Sequence, residues 1–175
     1  MATDPVNVVK SVYSVALLIF SIVIIIALIF EEQTKFSADV HPVLAFFALW
    51  GALIWLSMVE GGQASMVGLP PIDRSLYNES HPISHAICEW GHRGDNLDRY
   101  LMGRQFMVLA LVFVINMSGA PLSDATVLGL PEIVTNIFLK SGLAMILTTC
   151  MVGQLNTQVN ASHCMLDYIN TYFMT

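Results

Sequence analysis

Two short stretches of this sequence set polar chemistry beside apolar sequence. Glu60-Gly61-Gly62-Gln63 ends one apolar segment, and Gly103-Arg104-Gln105 stands near the start of the next. Each offers a full charge, glycine and a glutamine. A glutamine amide supplies two N–H donors and one carbonyl acceptor without net charge. Glycine lets a backbone come close. That combination suits a neutral polyhydroxylated solute, and the carbonyls also suit a hard cation. An ionisable group beside hydrocarbon must pair, reach water or serve a function. Glu60 and Arg104 approach the same membrane face from successive antiparallel helices. They either form a structural ion pair or belong to a binding site. The candidate binding residues are therefore Glu60, Gly61, Gly62, Gln63, Gly103, Arg104 and Gln105.

A third group, His163, Cys164 and Asp167, has the spacing of a sparse metal cluster, with His163 and Asp167 on one helical face. Three ligands without a fourth make a weak site, and no metal or other cofactor is expected. No Ser-His-Asp set, phosphate-binding glycine loop or HExxH motif is present, so an enzyme is not expected.

These residues need a scaffold, and composition names its class. The chain of 175 residues is 55% hydrophobic and 11% charged, with mean hydropathy +0.67. Soluble domains carry about a quarter charged residues. This is an all-α, polytopic membrane protein. The net charge of −6 leaves no basic face for nucleic acid. Cys88, Cys150 and Cys164 are too widely spaced to suggest a disulfide framework.

Four spanning helices are expected, over residues 11–30, 42–63, 96–118 and 132–156. The first is an uncharged run of bilayer length, too long for a signal-peptide core. The second opens on Pro42. It stops at Glu60, or it continues toward Gly68-Leu69-Pro70-Pro71 and carries Glu60 into the membrane. Residues 70–95 form the long polar connection. His81, His85 and His92 read there as solvated loop residues. In the third helix Asp95 suits the cap, Asp98 the first turn and Tyr100 the interface. Arg104 then falls below the headgroups, where it pairs or snorkels. The fourth begins near Pro131-Glu132 or after Lys140. The polar groups from Gln154 to Ser162 go right round a helix, so that segment leaves the membrane or lines an enclosed polar path.

Lys10, Arg74, Arg93 and Arg99 fall on one side, Lys35 on the other, joined by Lys140 in one placement of the fourth helix. The positive-inside rule puts the N-terminus and the long connection in the cytoplasm. The sequon Asn78-Glu79-Ser80 would stay unmodified there.

Together the motifs resemble the diatom silicic acid (silicon) transporters. The resemblance rests on Glu60-Gly61-Gly62-Gln63 (EGxQ), Gly103-Arg104-Gln105 (GRQ) and Cys164-Met165-Leu166-Asp167 (CMLD), in that order. The runs 64–71 and 94–102 also match. It implies uptake of orthosilicic acid coupled to sodium at the cell membrane. It also implies about ten spanning helices in two related halves, each with EGxQ and GRQ, as in inverted-repeat secondary transporters. Each motif occurs once here, so the chain is expected to be the N-terminal half and its partner the missing second half. In this reading Gln63 and Gln105 bond the solute hydroxyls, while Glu60 and Arg104 set the field and hold the helix ends together. Inversion needs an odd number of spans. Residues 160–175 would then approach a fifth, with Tyr168, Tyr172 and Phe173 at the interface. The competing reading is a structural or assembly tetraspan subunit with Glu60 and Arg104 as a structural ion pair.

Overall fold

The structure, a computed structural model, describes residues 5–37, 40–70, 72–123 and 125–171. All its regular elements are helical. They are α1 Pro5–Phe30, α2 Pro42–Gly68, α3 Pro82–Gly91, α4 Asn96–Gly119, α5 Glu132–Thr135, α6 Leu143–Thr148, α7 Asn156–His163 and α8 Met165–Ile169. π-helical turns follow α5 over Asn136–Lys140 and α6 over Thr149–Leu155. Among the described residues three helices are long and apolar enough to cross a membrane: Val6–Phe30, Pro42–Gly68 and Asn96–Gly119. A fourth span is formed if Glu132–Lys140 and Leu143–His163, bent by 51° at their junction, count as one.

The helix boundaries refine the expected ones. α1 starts before residue 11. α2 does not stop at Glu60 but runs on to Gly68, about 40 Å at 1.5 Å per residue. Two interior glycines weaken a helix without breaking it; Pro70 ends it, because the residue before a proline disfavours helical backbone. Pro121 ends α4 in the same way. The expected fourth span over 132–156 corresponds to a bent pair of helices. It begins at Glu132, breaks after Lys140 and resumes at Leu143 to end at His163. Gly142 sits at the break with φ +75°, a left-handed conformation that glycine takes without Cβ strain.

Residues 70–95 are not all loop. Pro82 opens α3, a position where its missing N–H is no loss. Small Ser84 and Cys88, one turn apart, form its buried face.

Two compact units divide the chain. The first comprises Met1–Gly51 and Phe113–Met151. Its core joins Ile24 and Leu28 to Ala125, Val127 and Leu139, and Phe20 meets Phe138 edge-on at 5.0 Å. The turn after α1 holds the segment after α4. Gln33 Oε1 accepts from the Thr126 N–H at 2.7 Å, and Glu31 Oε1 from that of Leu128 at 3.3 Å.

The second unit comprises Ala52–Val112 and Val152–Thr175. Its core is Met66, Leu69, Cys88 and Ile169, flanked by Leu97, Tyr100 and Tyr168. α8 docks on the start of α3. Asn170 Oδ1 accepts from the Ile83 and Ser84 N–H groups, and Ser84 Oγ donates to the Leu166 carbonyl at 2.6 Å. Tyr168 is half-buried against this core. Tyr172 and Phe173 lie outside the described residues, as does Pro71.

Candidate functional site

Because α2 stays helical through its glycines, Glu60, Gln63, Ala64, Val67 and Gly68 recur at steps of three and four and share one face. With Gln158 of α7 they line a groove of about 340 Å³. Glu60 is only 5% exposed. A buried carboxylate without a partner is strongly destabilising, and two donors meet it. Arg104 Nη1 donates to Glu60 Oε2 at 2.9 Å, and Gln158 Nε2 donates to the same oxygen at 2.8 Å. Both donors fall on Oε2; among the described residues none is recorded on Oε1. Arg104 Nη2 also donates to Gln105 Oε1 at 3.2 Å, while its Nε is buried without a partner.

The candidate residues therefore divide. Glu60, Arg104 and Gln105 are joined by hydrogen bonds. Gln63 shares the groove with Glu60, and its amide makes no side-chain hydrogen bond within the described residues. Gln105 is exposed and is not among the groove's lining residues. Gly103 is exposed, with nothing within 4 Å of where a Cβ would stand. Gly61 and Gly62 are buried. Gly61 serves close packing: a Cβ there would overlap Tyr168 Cζ and Oη and come within 2.8 Å of Thr157 Cγ2. The Tyr168 hydroxyl, seated over this glycine, donates to the Ser57 carbonyl at 3.1 Å.

The π turn explains how one helix reaches α2 twice. Gly153 packs against Leu53 and Leu56, and Gln158 bonds Glu60. Five α-helical residues would put these positions about 140° apart. Gly153 lies inside the i→i+5 winding of Thr149–Leu155, whose wider turn narrows that angle. The polar run from 154 to 162 is thereby sorted. Thr157 and Gln158 are half-buried, while Asn156 and Asn160 are exposed and bond each other at 3.2 Å.

The histidines differ from the solvated-loop expectation. His81 Nε2 lies 3.0 Å from Asp167 Oδ1. His92 Nε2 donates to the Met66 carbonyl at 2.9 Å, satisfying one of the last acceptors of α2. The His85 ring stands 6.2 Å from that of Tyr77. Asp167 is thus engaged by His81, and the two line one groove with His163 and Cys164. Among the described residues no three His, Cys, Asp or Glu side chains gather as a metal site would require. In the connection, burial first and a bond with Cys88 second push the Tyr77 hydroxyl up to about 12, and burial raises the Cys88 thiol.

A buried ion pair, a glutamine whose amide makes no side-chain hydrogen bond among the described residues and a polar groove thus lie together on α2, α4 and α7. A family model described as Silicon transporter matches residues 2–175. The chain belongs to the silicon transporter family. It is therefore a multi-pass membrane protein of silicon transport, acting on a small solute. Family membership also points away from an enzyme. No curated protein and no solved structure matches it.

Sequence reasoning missed Gln158, Tyr168 and the pairing of His81 with Asp167 as parts of this unit. For Gln158 a signal existed, since a segment polar all round is disfavoured on lipid. Its placement depends on the π turn, which has no comparable sequence signature.

Proposed function

We propose that this silicon transporter moves orthosilicic acid across the cell membrane in symport with sodium, with its N-terminus in the cytoplasm. Gln63 and Gln105 hydrogen-bond the solute hydroxyls. The Glu60–Arg104 pair fixes the local field and ties α2 to α4. The observation that carries this reading is the groove beside that pair, where the Gln63 amide makes no side-chain hydrogen bond among the described residues. Arg104 bonds the Gln105 carbonyl and leaves its two amide N–H donors for a solute oxygen. Glutamine carbonyls and a carboxylate oxygen are also ligands that a hard cation such as sodium accepts. The groove is one side of a site completed by a second, related half; the support is the family resemblance, which implies two copies of each motif against one here.

The test is uptake by the whole protein in sodium-loaded and sodium-free media. Gln63→Ala and Gln105→Ala should each lower silicic acid uptake with surface expression intact. Near-normal uptake by both variants removes these amides from the site, and sodium-independent uptake removes the coupling. The competing reading as a structural subunit rests on the same ion pair. It predicts no solute-dependent protection of cysteines placed at positions 63 and 105.

A further inference from the structure

We propose that Gln158 is a third solute-binding residue of the groove and that it exchanges its bond to Glu60 for one to the solute. The inference rests on the transport reading above and adds a residue outside EGxQ, GRQ and CMLD. It follows from the hydrogen bonds around Glu60. Arg104 already gives Glu60 Oε2 a charged partner at 2.9 Å, so a neutral donor can leave this oxygen without uncovering an unpaired charge. Gln158 reaches that oxygen at 2.8 Å and lines the same groove as Gln63. Only one end of its amide is engaged; no donor is recorded on its carbonyl among the described residues.

A polyhydroxylated solute brings groups that both donate and accept. The groove answers with acceptors at Glu60 Oε1, Gln63 Oε1 and Gln158 Oε1, and with donors on the two amides. Without solute, Gln158 Nε2 rests on Glu60. With solute, its amide turns so that the carbonyl accepts a hydroxyl, while Arg104 keeps the carboxylate paired. The buried charge is thus never left alone, which would be costly. The Nε2 donor released from Glu60 then serves a solute oxygen, so binding does not leave a desolvated amide behind. Gln158 follows directly on the π turn over Thr149–Leu155, and such turns are frequent at functional sites.

The test uses the whole protein in proteoliposomes, with silicic acid uptake measured over a concentration range. Gln158→Met keeps length and volume and removes the amide. Its KM should rise about three- to tenfold, the effect of one lost neutral hydrogen bond, with kcat changed much less. Gln158→Asn, one methylene shorter, should be intermediate. A purely structural Gln158 would instead lower the amount of folded protein and leave the KM of the remainder at the wild-type value. That result overturns the proposal. If wild-type protein shows saturable silicic acid uptake and both variants match its KM, Gln158 is not in the site, though the transport reading stands. If wild-type protein shows no such uptake, the transport reading has failed and this inference with it.

Discussion

Replacing Gly61 with alanine probes the site through its packing. Gly→Ala inside a helix ordinarily stabilises by about 1 kcal/mol. Here the added methyl would meet the Tyr168 ring and hydroxyl, with Thr157 Cγ2 only 2.8 Å away. Helix backbone cannot yield cheaply, so Tyr168 must move. Its departure breaks the bond to the Ser57 carbonyl, about 1 kcal/mol. Forcing a methyl into filled space adds about 1–3 kcal/mol. Against the propensity gain, Gly61→Ala should be destabilising by about 1–3 kcal/mol net. Thermal unfolding of the whole protein in detergent measures this as a lowered Tm. Tyr168→Leu removes the obstructing hydroxyl and ring edge. Added to Gly61→Ala, it should lose less than the sum of the single changes. Tyr168→Phe keeps the ring carbon over Gly61 and should rescue little. If Gly61→Ala raises Tm, or if its effect simply adds to that of Tyr168→Leu, Tyr168 does not occupy the space at Gly61.

Three further outcomes are expected. Glu60→Gln and Arg104→Gln should each impair folding or uptake, and their double mutant should lose less than the sum; additivity would mean that the 2.9 Å pair contributes no coupling. Impermeant labelling of a cysteine placed at Asn78 should require permeabilised cells, and efficient labelling of intact cells would reverse the proposed orientation. Tyr77 favours its neutral form in the folded state, so the unfolded chain releases this proton first. Its contribution to stability should be present below pH 10.0 and lost as pH rises toward about 12; Tyr77→Phe should flatten that alkaline loss, and an unchanged profile would refute the assignment.

The sequence made the long spans legible because lipid imposes a blunt rule. Twenty uncharged residues in a row identify α1 whatever they pack against, and prolines mark where α2 and α4 stop. Glu60, Gln63, Arg104 and Gln105 were legible because polar groups are expensive beside apolar runs. Other features obey weaker signals. α3 buries Ser84 and Cys88, which carry little of the hydrophobic periodicity that reveals a helix. Gly61-Gly62 reads as a possible turn, yet α2 continues, since Tyr168 fills the space left by the missing side chain. His81 and Asp167 stand far apart in the chain, and nothing local announces that they meet. The break at Gly142 was half visible: both proposed starts of the fourth helix exist, one on each side of it.

The π turn over Thr149–Leu155 makes chain length itself a functional variable. A substitution within it can leave the winding intact. Removing one residue within it can be absorbed by a return to ordinary α-helical pitch, whereas removing one between it and Gln158 would rotate Gln158 by about 100°, carrying it off Glu60 with every groove residue still present. Two relatives could thus share all of these residue types and differ in function through one gap in their alignment. Between Gly153 and Gln158, spacing matters as much as identity when such chains are sorted.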